Sequence, residues 1–337
     1  MSCFEQSPGC DLAIEAHEML AAGSGGLDEI RGIKIEEVEH HGYITVTKVK
    51  VESNEGSQAI GKPVGNYITI EMPSRFYGQQ EIYEQMCECC ADEIKALTER
   101  ILKSEDDLVL VAGLGNHRIT ADALGPKAVA ALMITRHLKK YVPDEIDEGV
   151  RPLCAIAPGV LGTTGMETEE IVRALTDKIQ PKLVIVIDAL CSGNLERINT
   201  TVQITDTGIT PGGGVGNKRK TINTDVLGVP VIAIGVPTVV DAAAIAKAGI
   251  EIASHNNEYK NSGFSPKHAR RSDDTSDNDG GEIKSRIRAE VDERFGNLIV
   301  APKDVDNITD DIASVIANGI NISMHPGITF NDIDRYV

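Results

Sequence analysis

A chain of 337 residues with 41% hydrophobic and 25% charged content can build one large globular domain or two, with a sizeable core. Its formal charge of -18 excludes a general nucleic-acid binder, whose phosphate contacts need clustered Lys and Arg, and more simply favours solubility. Seven cysteines, odd in number and unevenly spaced, fit free thiols in a reducing cytoplasm better than a disulfide framework.

The opening residues lack both a basic start and a continuous apolar run, so they do not read as a secretory signal. Pro8 and Gly9 belong to a loose leader ahead of a short acidic helix, DLAIEAHEML, which Asp11 is suited to cap. GYITVTKVKV (42–51) and NYITIEM (66–72) alternate apolar and polar residues across a Gly, Asn and Ser-rich turn, the pattern of an antiparallel hairpin or small side sheet. A change of phase between Val46 and Val49 suggests a bulge. Ile82, Met86, Cys90, Ile94, Leu97 and Ile101 then mark one helical face. On it Cys87, Cys89 and Cys90 have no second Cys or His pair nearby, so packed thiols account for them better than zinc does.

The stretch DLVLVAGLGNHRITADALG (107–125) organises the rest of the chain. Leu108 to Val111 is an unbroken apolar run, short and bounded by charge and glycine, and reads as a central parallel strand. Asp122 lies in the loop after it, where the reactive crevice of an open parallel sheet forms. A dinucleotide fingerprint is a poor fit, because the third glycine is missing from its required spacing. Capping of the next helix is the plainer use of Asp122. That helix should carry Val129, Leu132 and Met133 into the core and end at His137, Lys139 and Lys140.

Leu153 to Ala157 reads as a strand, and Thr164 with Glu167 as a capping box for a helix over 165–179. Leu183 to Ile187 is the second clearly buried strand, ending at Asp188. Ile198 to Thr205 and Pro230 to Gly235 are further strands, the latter followed by a helix over 239–254. Between them TGITPGGGVGNKRK (207–220) has no P-loop spacing and suits a loop that lines or covers a site. The most apolar stretch, 226–246, is broken by Pro230, Pro237 and Asp241 and is no membrane span. Residues 255–290 are polar enough to form an exposed, partly disordered insertion, after which NLIVAP returns to strand and Ile308, Ile312 and Ile316 lie on a closing helix. Strands alternating with helices imply a doubly wound, mainly parallel α/β sheet with helices on both faces and a small added antiparallel hairpin.

Such a sheet carries Asp122 and Asp188 to one edge, where two carboxylates can share a proton and activate water. No G-x-S-x-G elbow or H-E-x-x-H motif competes, and no thiol has a neighbouring His. The segments GLGNHRITADALGPKAV, APGVLGTTGMETEEIV, VIDAL, RINTTVQITDTGITPGGGVGNKRK, LGVPVIAIGVPTVVDA and GINISMHPGI closely resemble the spore germination proteases of endospore-forming bacteria, from about Asp11 to the last helix. The resemblance implies an endopeptidase made as a zymogen, similar in fold to the hydrogenase maturation endopeptidases, that degrades small acid-soluble spore proteins. It also implies a homotetramer in the cytoplasm of the spore core, with no membrane or direct nucleic-acid partner. The aspartic pair of the family matches Asp122 and Asp188. No His aligns with the third nickel ligand of the maturation enzymes, so acid–base chemistry without a cofactor or resident metal is favoured over a metal held by the same carboxylates. A non-catalytic module that binds small ligands through the glycine-rich loop is the rival from another class.

Substrates of the resembled family are cut after Glu in a motif of Glu, then Phe or Ile, then Ala-Ser-Glu. Asp11-Leu12-Ala13-Ile14-Glu15 repeats its order of acid, large apolar, Ala, any residue and Glu. Self-processing is therefore expected between Asp11 and Leu12, dividing a propeptide, 1–11, from one peptidase domain, 12–337.

Overall fold

The computed structural model describes residues 11–16, 18, 31–72, 79–213, 219–246, 248–249, 290–291, 293–294 and 298–335. Its strands are β1 (Ile33–His40), β2 (Ile44–Val51), β3 (Gly65–Glu71), β4 (Val109–Gly113), β5 (Leu153–Ile156), β6 (Leu183–Ser192), β7 (Thr201–Thr205), β8 (Val231–Asp241) and β9 (Ile299–Val300). They form one sheet in the order β1-β2-β3-β7-β8-β6-β4-β5, with β9 added on β8. The four strands β5, β4, β6 and β8 are parallel, and β7, β3, β2 and β1 continue the sheet in antiparallel fashion. The expected doubly wound α/β core is therefore present. Its hairpin strands are joined to that core through β7 instead of standing aside.

Helices Gln80–Thr98, Leu124–Ala130 and Val305–Met324 cover one face around the main core of Met86, Ile94, Val111, Leu124, Ile185, Ile187 and Ile316. Cys87, Cys89 and Cys90 are buried there, and desolvation pushes the Cys87 and Cys89 thiols up to about 12, which fits packing rather than reactivity. Helix Thr168–Ile179 covers the other face, with Val172 packed against Leu110, Ala112, Val184 and Val186. The chain leaves β4 towards β5 on one side and returns to β6 on the other. Between β4 and β6 this makes a topological switch point, with a crevice at their carboxyl ends.

Several local expectations change, each for a visible reason. Register runs unbroken through Val46 and Val49 on both sides of β2, so there is no bulge. The phase shifts because β2 is buried on both faces: Ile44 and Val46 enter the main core, whereas Val49 and Val51 pack with Ala13, Ile60 and Tyr67. The turn after β2 is a short helix, Asn54–Ile60, capped by Ser53, whose hydroxyl accepts from the Gly56 amide.

The helix after Asp122 stops at Ala130, and a second one spans Arg136–Tyr141. Between them Met133 N donates to Asn321 Oδ1, while Thr135 bonds Arg151 O and the Leu153 amide, contacts that draw the chain out of helical geometry. The Thr164/Glu167 capping box does not form. A turn of helix, Leu161–Thr164, ends at Gly165 with φ +73, and helix Thr168–Ile179 starts after it without a side-chain cap.

Two strands run on further than the apolar runs suggest. β6 continues from Asp188 to Ser192, and β8 from Gly235 to Asp241, because each supplies the other's partner beyond the end of β4. β8 therefore occupies residues 239–241, where helix was expected. β7 begins at Thr201, after a tight turn over Leu195–Arg197. The leader up to residue 10 and all of the polar insertion but residue 290 lie outside the described residues. Among the described residues no helix is long and apolar enough to cross a membrane.

Candidate active site

β4 is apolar and buried along its length, and it stops at Gly113, level with Ile187 of β6. Asp188 is thus the first β6 residue beyond the end of β4, inside its strand and not at its terminus, and it faces Gly235 of β8. The loop after β4 folds back over it. At Gly115, φ is +112 and a Cβ would lie 2.0 Å from the Asp122 carbonyl oxygen, so only glycine permits this return. Asn116 N donates to Asp122 O and to Asp122 Oδ2, both at 2.9 Å, and Thr238 Oγ1 of β8 holds the turn through Ala121 O at 2.6 Å. Asp122 does not cap the next helix, which has Ala123 at that position and no side-chain cap. Its carboxylate closes the loop over the crevice.

The electrostatics separate the two acids. Asp188 is 5% exposed, and burial holds its pKa well above the carboxylate range, with the charges of Asp122 and Asp11 acting the same way. Asp122 is partly buried and also raised by desolvation, although the Asn116 amide partly stabilises its charged form. The fold thus brings the two acids near enough for one to act on the other.

The segment at residues 11–16 is seated in the same place. Asp11 Oδ2 accepts from Cys191 N at 3.0 Å, Asp11 N donates to Cys191 O at 3.3 Å, and Lys62 Nζ donates to Asp11 O at 2.8 Å. Leu12 is fully buried against Ile14, Leu190 and Ile209. Ile209 belongs to the described part of the glycine-rich loop, which therefore lines this place. The basic end of that loop pairs with the helix opposite, Lys220 Nζ lying 2.8 Å from Glu170. The Ala13 amide donates to Gln203 Oε1 at 2.7 Å, and Glu15 is buried beside Ser192, Gly193 and Arg197.

All four sequence-derived site residues, Asp11, Leu12, Asp122 and Asp188, thus meet at one sheet edge. Gln203, Arg197 and Glu15 join them without a sign in the apolar periodicity. The one available cue is the alternation of Thr201, Gln203 and Thr205 along β7, which places polar side chains on a single buried face. Among the described residues no group of three or more His, Cys, Asp or Glu side chains is arranged to hold a metal ion.

The germination protease family model matches residues 13–267, more than half of the chain. The chain belongs to the germination protease family. Members of similar length include the germination proteases of Clostridium tetani, 45% identical over 97% of this chain and 98% of the relative, and of Bacillus subtilis, 41% identical over 97% and 95%. A solved [NiFe] hydrogenase maturation protease, HycI from Thermococcus kodakarensis KOD1, aligns with 65% of this chain and 98% of its own at 16% identity. Its TM-score is 0.27, too low to carry an argument.

A buried acid with a raised pKa weakens the fold once it ionises. The native state holds the Asp188 proton to higher pH than the unfolded chain does, so stability falls as pH rises from about 4 to the native pKa and is level beyond it. Each unit of that upward shift removes about 1.4 kcal/mol at high pH. Asp188→Asn is therefore expected to melt higher than wild type, by a margin that is small near pH 4 and widens towards neutrality. Thermal melts across that range check it, and a constant or narrowing margin would contradict the raised pKa.

Proposed function

We propose that this chain is an aspartic-type endopeptidase of spore germination, made as a self-processing zymogen, that degrades small acid-soluble spore proteins. Membership of the germination protease family supports the broad reading. The observation that carries the mechanism is the seating of Asp11–Leu12 beside two carboxyl groups whose pKa values are raised to different extents.

Asp122, whose charged form the Asn116 amide partly stabilises against desolvation, is the base that takes a proton from water as its oxygen attacks the Asp11 carbonyl carbon. Lys62 Nζ, which donates to the Asp11 carbonyl oxygen, polarises that carbonyl, and Asp188, more strongly held in its neutral form, is the acid that protonates the departing Leu12 nitrogen. Water adds to carbon, the C–N bond breaks, and the products are a carboxylate at Asp11 and an amine at Leu12. Residues 12–337 then form the mature peptidase domain. The family resemblance extends the proposal to a homotetramer acting in the cytoplasm of the spore core, without membrane or direct nucleic-acid contacts.

Mild acidification of the purified chain, followed by intact-mass measurement, should show loss of residues 1–11 and a new terminus at Leu12. The processed protein should cut a peptide containing Asp-Leu-Ala-Ile-Glu after its first acid. A chain that neither shortens nor cuts the peptide refutes the proposal. Loss with a chelator and recovery with one divalent metal would replace the metal-free mechanism.

A further inference from the structure

β2, β3 and β7 turn Thr47, Thr69, Thr201 and Gln203 towards the sheet face that carries residues 13–16, and all four are buried. The register sets Thr47 opposite Thr69 and Thr69 opposite Gln203, so three polar side chains form one row across three strands, with Thr201 two residues before Gln203 on β7. Among the described residues the hydroxyls of Thr47, Thr69 and Thr201 have no hydrogen-bond partner. A buried hydroxyl left unpaired is costly, and folding alone gives no reason to collect three of them on one face. Ala13 shows how the row can be met. Its amide donates to Gln203 Oε1 at 2.7 Å, while its side chain packs with Val49, Val51 and Tyr67 on the same face. Asp11 and Leu12 enter the site without helical structure, but residues 13–16 close into a helical turn in which Ala16 N donates to Leu12 O at 3.4 Å. A helix turns its carbonyl groups back on its own amides, so beyond Ala13 the segment leaves the three hydroxyls unpaired.

We infer that Gln203, Thr69, Thr47 and Thr201 form a binding track for the backbone of protein substrates, pairing with the amide and carbonyl groups of an extended stretch that starts at the second residue after the bond cut. The inference rests on the reading that Asp11–Leu12 is that bond, which places Ala13, on Gln203, at the second position. From Gln203 to Thr47 the row is about 10 Å long, two interstrand spacings. A run of about three further extended residues covers that distance. An extended chain presents free N–H and C=O groups along its length, and a threonine hydroxyl can accept from the one or donate to the other. Backbone recognition is blind to side chains, so the track adds affinity for an extended polypeptide without adding a sequence preference. The chain's own segment occupies this face in a helical turn and uses only Gln203. A substrate that replaces it in extended form gains bonds that the segment does not make, which favours the exchange.

The test uses a synthetic peptide, Asp-Leu-Ala-Ile-Glu extended equally at both ends, and two copies in which the amide joining the third to the fourth, or the fourth to the fifth, residue after the cut is replaced by an ester. An ester keeps the backbone shape but has no N–H and a weaker acceptor oxygen. Processed wild type should cleave at least one ester peptide about 3- to 10-fold less efficiently in kcat/KM than the parent, mainly through KM, the range expected for neutral hydrogen bonds. Thr69→Val and Thr201→Val should each lose a similar factor on the parent peptide. In at least one of these variants the ester penalty should shrink to about 2-fold or less, since the variant already lacks the bond that the ester removes. Before processing, Thr69→Val should melt no lower than wild type, because its hydroxyl bonds nothing there. A lower melt, the absence of any ester penalty in wild type, or an undiminished penalty in both variants overturns the track while leaving the peptidase intact. Cleavage of none of the peptides by wild type overturns the scissile-bond reading, and the track with it.

Discussion

Asp188→Asn and Asp122→Asn are each expected to lower peptide cleavage by about 10³-fold or more while leaving the fold intact, since each removes a proton carrier from the proposed step. Asn keeps the size of Asp and an acceptor oxygen. In the Asp122 variant that oxygen can still receive the Asn116 amide and close the loop, so the site keeps its shape but lacks the proposed base. In the Asp188 variant the Ala189 amide keeps an acceptor as well, and a buried neutral amide replaces a buried neutral acid. Activity and stability should therefore move in opposite directions at Asp188, with activity lost and melting temperature gained at neutral pH. Because the proposed mechanism uses the two groups in one step, the double variant should be little worse than either single one. Rate assays on the peptide together with thermal melts check this. A folded single variant that retains near-normal turnover removes that residue from the mechanism.

The pair is legible in the sequence because both acids follow strands apolar enough to be buried on both faces, VLVAG and LVIVI, and a parallel sheet delivers such positions to one edge. What the strands do beyond that edge is not legible. The extension of β6 to Ser192 and of β8 to Asp241 depends on mutual pairing far apart in the chain, and Pro237 and Gly235 argue locally against a strand there. The break after Ala130 is set by Asn321 and Leu153, again remote partners. The phase change in β2 has a related cause. Alternation assumes one buried face, but residues near the amino terminus return to cover the second, putting Ala13 against Val49 and Val51. The contacts of Glu15 with Ser192 and Arg197 join positions more than 170 apart, the Ser192–Glu15 bond alone spanning 177, and periodicity cannot report that.

Leu12→Asp should keep the chain full length, slowing self-processing by about 10²-fold or more, because an unpaired carboxylate would have to enter an apolar pocket. Leu12 is fully buried on Leu190 and Ile209, and the same site already holds Asp11, Asp122 and Asp188. A fourth acid meets both desolvation and like charge. It would expel the segment from the cleft or force one of the acids to stay protonated. Leu12→Ile, of similar volume, should process within about tenfold of wild type, since volume-conserving apolar swaps are tolerated. Intact mass over time distinguishes these outcomes, with a thermal melt confirming that Leu12→Asp is folded. The pH dependence adds a second constraint with a defined sign. The proposed mechanism needs the Asp188 proton, so the processing rate should fall as pH rises through its native pKa. Asp11 is one of the charges that raise that pKa, and Asp11→Asn removes it while keeping an oxygen for the Cys191 amide. The falling limb should therefore move to lower pH in Asp11→Asn, although the bond cut is unchanged. Cleavage of folded Leu12→Asp at the same bond and a near-normal rate would show that Leu12 does not enter the site during processing. A limb that stays in place or moves upward would show that Asp11 does not act on the proposed acid, Asp188.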